Sequence, residues 1–186
     1  QKVENQSALL SSIAQKPGLP PHLPTDIAFA LKVMSDLQNR LLQHPPPSHP
    51  SHASHLRGQE GTASRVYFQQ LAKYLACLPE ESMFRHPDLA FEGRQKRPAY
   101  DPFNALLNYL YGMLYTNCHL ALLKSGLDPY LGVLHADRHG DYPTLVYDFI
   151  EPYRPWADQV ALQLAASGDF DETCFEPDPD ERGLWL

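Results

Sequence analysis

Apolar residues recur at three- and four-residue steps along several stretches of this chain, and residues that start or stop helices bound each stretch. Val3, Ala8, Leu9 and Ile13 predict a short helix over 3–14, ended by Pro17-Gly18. After the proline-rich segment 19–24, Thr25 or Asp26 is placed to cap a second helix reaching about Leu42, with Ile27, Leu31, Met34, Leu37 and Leu41 on one stripe. Ala63, Val66, Tyr67, Gln70, Leu71, Tyr74, Leu75 and Leu78 predict a third helix from Gln59 to Leu78, stopped by Pro79. Residues 80–100 are polar and show no clear period. A longer helix is predicted over 102–124, with Asp101 as N-cap, Pro102 at its first position and Gly126 just past its end. A turn at Asp128-Pro129, a short apolar run 130–134 and a polar loop 136–143 lead to a last helix-like stretch, 144–166. Pro152 and Pro155 must kink that stretch or sit near a first turn. Alternating runs joined by hairpin turns are lacking, so the expected fold is mainly α.

Two segments fall outside these periods. Residues 43–57 carry Pro45-Pro46-Pro47, Pro50 and the histidines His44, His49, His52 and His55. Such a composition predicts a flexible loop, and a Pro/Ser loop gives no rigid frame to aim two imidazoles at one ion. Residues 167–186 form an acidic tail, expected to be loose. The 186 residues, 43% hydrophobic, suffice for one sizeable core and one or two compact units. No apolar run approaches the roughly 20 residues that span a bilayer. Cys77 and Cys118 lie among apolar residues and read as buried thiols. The three cysteines, odd in number and without paired spacing, point to a reducing, cytoplasmic setting rather than a disulfide framework or zinc ribbon.

The net charge of -7 argues by itself against binding nucleic acid. Its distribution removes the objection. Residues 169–181 hold seven acids and no Lys or Arg, which equals the whole excess, and basic residues are spread through the remainder.

The candidate chemistry begins with Asp148 and Glu151, three apart and flanked by Val146, Tyr147, Phe149 and Ile150. On a helix they share one face, where two carboxylates repel unless a cation or proton sits between them. A solvated acidic face is the ordinary alternative. His135 follows an apolar run, where a lone histidine is commonly a satisfied core residue. A loop of thirteen residues is long enough to fold it back onto Asp148. Glu60 opens the predicted third helix, where an acid ordinarily just complements the helix dipole.

Four ordered motifs join these residues. Glu60-Gly61-Thr62-Ala63-Ser64-Arg65-Val66-Tyr67-Phe68 resembles a Glu-Gly-x-Ala-x-x-x-Tyr-Phe helix start. The segment from Arg97-Pro98 through Asp101-Pro102 to Asn104 is similar to Arg-x-Pro-x-x-Asp-Pro-x-Asn. Gly126-Leu127-Asp128-Pro129 leading to Gly132 and His135 is similar to Gly-Leu-Asp-Pro-x-x-Gly-x-Leu-His. Leu145 through Pro155 resembles Leu-x-Tyr-Asp-Leu-x-Glu-x-x-Arg-Pro. In this order, over about 1–166, they resemble the CRISPR-associated spacer-acquisition integrases and endonucleases (the "Cas one" proteins, with the casposon integrases). Even Lys2-Val3-Glu4-Asn5-Gln6 resembles the start of that family's first catalytic-domain helix.

The resemblance implies a helical catalytic domain over 1–166. The family's N-terminal β domain, which usually makes the homodimer, is absent from this chain, so the chain is expected to be a piece of a longer protein. It implies manganese or magnesium held by Glu60, His135 and Glu151, with Asp148 helping to hold the ion or orient His135. It implies attack by a DNA 3′-hydroxyl on a phosphodiester at a CRISPR repeat, which inserts spacers in antiviral defence; with water as nucleophile the site is a nuclease. Carboxylates suit magnesium and manganese, and one imidazole tilts the site toward manganese. Arg65, Arg97, Arg138 and Arg154 are candidate phosphate contacts. The implied partners are double-stranded and branched DNA and a small ferredoxin-like subunit ("Cas two"). Two other readings stay open: a stand-alone nuclease for branched DNA, and a non-catalytic helical docking module of a larger fusion.

Overall fold

In a computed structural model, residues 1–43, 52–96, 98–134, 142–177 and 184–185 are described. They form a mainly α-helical unit, as the periodicity predicts. Helix α1 spans Lys2–Ala14, α2 His22–Leu42, α3 His52–Leu75, α4 Pro102–Lys124, α5 Thr144–Ile150 and α6 Arg154–Ser167. Helix α1 packs against α2, α3 and α6, α2 against α3, and α4 against α5 and α6.

Of the largest fully buried side chains, Ile13 of α1, Ile27 and Met34 of α2, and Tyr67, Leu71 and Leu75 of α3 lie on the predicted apolar stripes, and Leu10, Leu23, Phe103, Leu106 and Leu107 join them. Ala8, placed on the α1 stripe, is exposed. A second, smaller cluster of Cys118, Leu122, Val146 and Ile150 joins the end of α4 to α5. Leu31 and Leu41 are only half-buried, and Leu23 and Ala30 complete the α2 stripe in their place.

Several boundaries differ from the sequence expectation. Helix α2 starts at His22, not at Thr25 or Asp26, because a proline is tolerated in a first turn and Pro24 sits in this one. Helix α3 starts at His52, so 52–57 belong to a helix rather than to the predicted loop; the prolines that break the period lie earlier, within 44–51, outside the described residues. Cys77 is half-buried rather than buried, whereas Cys118 is buried, and burial pushes its thiol up; Cys174 is exposed.

The tail is not loose where it is described. Phe84 makes edge contacts with Phe103, Phe170 and Phe175, so aromatic packing ties the aperiodic 80–100 segment and the tail onto α4. Two short strands, β1 (Glu176–Pro177) and β2 (Leu184–Trp185), pair antiparallel, and Leu184 donates its amide to the Ala99 carbonyl at 2.7 Å. A charge count hides such packing because the apolar residues alternate with acids in sequence but face inward in space.

Helix α4 begins as predicted. Asp101 Oδ1 accepts from the Asn104 amide at 2.8 Å, and its Oδ2 accepts from Asn104 Nδ2 at 2.7 Å. Asn104 Oδ1 in turn accepts from the Gln95 amide and from Arg94 Nη1, each at 2.9 Å, so the cap also pins the 93–95 segment. Asp101→Ala is expected to lower stability by about 1–3 kcal/mol, from a lost cap and an unpaired buried amide. Urea unfolding checks this, with Asp101→Asn, which keeps the capping oxygen, expected to recover most of the loss. At the far end Gly126, at φ 72°, takes the left-handed turn that favours glycine, and Leu127 donates to the Leu122 carbonyl at 3.0 Å.

Candidate functional site

Glu60 lies in the third turn of α3 and not at its start, because the helix begins at His52. The field of a helix N-terminus fades within the first turn, so dipole compensation does not account for Glu60. Its partner is Lys2. The Lys2 Nζ donates to Glu60 Oε1 at 2.5 Å and meets Glu151 Oε2 at the same 2.5 Å. All three side chains are mostly withdrawn from solvent, at 18%, 27% and 19% exposure. One cationic atom therefore joins a carboxylate from α3 to a carboxylate from the other end of the chain.

Glu151 reaches this point because α5 gives way at Ile150 to a single tight turn, Glu151–Tyr153, before α6 begins. Pro152 lacks the N–H that would continue the α ladder, which is the break predicted from the sequence. Arg154 Nε pairs with Glu151 Oε1 at 3.0 Å. The two Glu151 oxygens thus face two different cations.

Asp148 has another set of partners. Its Oδ2 accepts the amides of Val133 (2.5 Å) and Leu134 (2.9 Å). The Leu134 carbonyl accepts from Arg57 Nη1 at 3.1 Å. Arg57 lies one turn before Glu60 on α3, and Asp148 three residues before Glu151, so Leu134 is tied toward both carboxylates. His135 is the next residue. It lies outside the described residues, as do Arg97 and Arg138. The approach depends on Gly132, whose amide donates to Thr144 Oγ1 at 2.9 Å. A Cβ at this position would meet the backbone and side chain of Thr144 at 2.7 Å, so any side chain would push the segment off α5.

Beside the carboxylates, two adjoining clefts of about 430 and 460 Å³ share Arg94, Lys96, Tyr111, Glu151 and Arg154. Arg65, exposed on α3, also lines the first. Arg154 and Arg94 both stack on Tyr111, with guanidinium carbons 4.6 and 5.1 Å from the ring centre. Arg94 Nη2 donates to Asn108 Oδ1 at 2.6 Å, and burial lowers the arginine's pKa. Beneath them Asp158 is buried at 1% exposure and accepts hydroxyls from Tyr67, at 2.9 Å, and from Tyr111. Burial pushes the Asp158 carboxyl up to about 6, against the tyrosine hydrogen bonds and the two arginines, which act to lower it.

Sequence reasoning missed Lys2, Arg94, Tyr111 and Asp158 as parts of one site. Asp158 left a weak signal, a carboxylate between the buried Pro155 and Ala161 on the inner side of a helix. Among the described residues, no group of three His, Cys, Asp or Glu converges on one point. None of the helices described is long and apolar enough to cross a membrane.

Known proteins share this arrangement of helices. A chain of a solved Cas6-RT-Cas1–Cas2 complex matches with a TM-score of 0.77 at 23% identity, over all of this chain and 18% of that one. A casposase bound to integration product matches with a TM-score of 0.65 at 24% identity, over all of this chain and 44% of that one. At such identities these are likenesses of fold. The CRISPR-associated endonuclease Cas1 2 of Rhodospirillum rubrum is 39% identical over 166 residues, 88% of this chain and 44% of the relative. This chain therefore spans less than half the length of that relative. The profile of the family described as CRISPR associated protein Cas1 matches residues 1–186, and the chain belongs to the Cas1 family.

Proposed function

We propose that this chain is the helical catalytic portion of a divalent-metal-dependent DNA endonuclease and integrase, with manganese or magnesium held by Glu60, His135 and Glu151. The observation that carries this reading is the single cation, Lys2 Nζ, held at 2.5 Å by both Glu60 and Glu151. Two carboxylates converging on one positive centre form a hard donor set, which suits these ions. The tie of Leu134 to both Arg57 and Asp148 supports His135 as the third ligand. A bound divalent ion offsets the charge of a phosphodiester and makes a hydroxyl or water a better nucleophile.

The chain's own residues supply the rest. Arg154 holds Glu151 by one oxygen and leaves the other toward the ion. Asp148 fixes the backbone ahead of His135, a positioning contact of the kind that orients metal ligands. Arg65, Arg94, Lys96 and Arg154 line the clefts beside the carboxylates and present cations to a phosphate backbone. In strand transfer a DNA 3′-oxygen forms a new bond to phosphorus as the old 3′-oxygen leaves, so one phosphodiester replaces another.

The partners proposed are double-stranded and branched DNA and a Cas2-type subunit, supported by the fold shared with chains in the Cas6-RT-Cas1–Cas2 and casposase structures. The test supplies a labelled DNA with a free 3′-hydroxyl, a duplex carrying a CRISPR repeat, and Mn²⁺, with and without a Cas2-type protein. A joined product is expected. Cutting without joining removes the integrase reading and leaves a nuclease for branched DNA. Neither product, from folded protein, sinks both.

A further inference from the structure

We propose that Lys2 is the resident counter-ion of the carboxylate pair, and that its ammonium leaves Glu60 and Glu151 when a divalent ion binds. This rests on the metal reading above and gives Lys2, whose position supports that reading, a role of its own.

The geometry puts the ammonium where an ion is needed. Its two contacts, each 2.5 Å, go to carboxylates from two different elements, which would otherwise repel one another across a partly dry gap. The Arg154 pair occupies Glu151 Oε1, so Oε2 is the oxygen that Lys2 holds and that a metal would take.

The backbone around Lys2 is fixed, and its side chain is held at the tip alone, by the two ion pairs. Val3 and Gln6 are buried, and Asn5 Nδ2 donates to the Pro152 carbonyl at 2.7 Å, which clamps the first turn of α1 to the turn that carries Glu151. The lysine stem is flexible, and Lys2 lines the open cleft beside the pair. The ammonium can therefore withdraw into the cleft without any movement of α1.

Two consequences of opposite sign follow. In the metal-free protein, Lys2 stabilises the fold by separating two acids. Toward a metal it competes, since the ion must break two half-buried ion pairs before it takes their place. A purely structural lysine would stabilise the fold without weakening metal binding.

The experiment compares the wild-type chain, Lys2→Met and Lys2→Arg, with Lys2→Gln as a second neutral variant. Melting is followed in EDTA, and Mn²⁺ alone is titrated by calorimetry. Lys2→Met and Lys2→Gln are expected to melt about 2–4 °C lower in EDTA and to bind Mn²⁺ about tenfold more tightly. Lys2→Arg is expected to restore both values toward wild type. Equal or weaker Mn²⁺ binding by the neutral variants, with wild type binding, overturns the Lys2 proposal and leaves the metal site standing. If wild type and Glu60→Ala give the same Mn²⁺ titration, the metal reading itself fails, and the Lys2 proposal with it.

Discussion

On the proposed metal reading, Glu151→Ala is expected to lower metal-dependent cleavage and joining of DNA by more than about a hundredfold. Groups that merely orient metal ligands are worth about 10- to 100-fold, so loss of a ligand exceeds that range. Glu151 stands at the crossing of the site: one oxygen on Lys2, one on Arg154, and the α5–α6 break beneath it. On the proposed metal reading its removal takes away a ligand, and it also takes away the carboxylate partner of Arg154. Glu60→Ala takes away the other proposed ligand together with one of the two ion pairs of Lys2. Both variants are expected to remain folded, because neither carboxylate belongs to the apolar core. Activity on a labelled duplex in Mn²⁺, beside a circular-dichroism melt of each variant, checks this. Activity within tenfold of wild type for both would remove these residues from the chemistry.

Asp158→Leu is expected to cost several kcal/mol of stability. It leaves the buried hydroxyls of Tyr67 and Tyr111 without their acceptor, at about 1–3 kcal/mol each, and it takes a negative charge from beneath Arg154 and Arg94. Asp158→Asn keeps the size and one acceptor, so its loss is smaller. The pair also differs in pH dependence. Burial raises the folded carboxyl from an ordinary 3.8 to about 6, so between these values the native state holds a proton that the unfolded chain has released. Stability from this group is therefore complete below about pH 4 and is lost as pH rises through about 6. The difference is about 3 kcal/mol at 1.36 kcal/mol per pKa unit. The groups facing the carboxyl are Tyr67 from α3, Tyr111 from α4, Arg154 at the start of α6, and Arg94. Urea unfolding of wild type and Asp158→Asn at pH 4.5 and 7.5 isolates the effect. The wild type should lose stability over this range relative to the variant, and parallel profiles would count against it.

The sequence was most informative where one local rule decides the outcome. Asp101 and Pro102 start α4, and Gly126 ends it, because a cap, a fixed φ and a left-handed turn are properties of single residues. The break between α5 and α6 follows from Pro152 in the same way. Legibility faded where a strong rule was read too widely. The prolines of 44–50 do not keep 52–57 out of a helix, and Pro24 does not delay α2 until Thr25. In the tail, seven acids concealed Phe170 and Phe175, which pack on the core.

The sequence by itself determined a mainly α chain, its principal core stripes and, through four ordered motifs, the family. Those features rest on local periodicity and on residues near one another in the chain. Tertiary structure alone decided that Lys2 links Glu60 to Glu151, and that Arg94 and Arg154 share one tyrosine over a buried Asp158. Each of these contacts joins residues far apart in sequence, brought together by the packing of α1, α3, α4 and α6. Helical spacing predicts which face of one helix is apolar; it does not say which charge on another helix that face will meet.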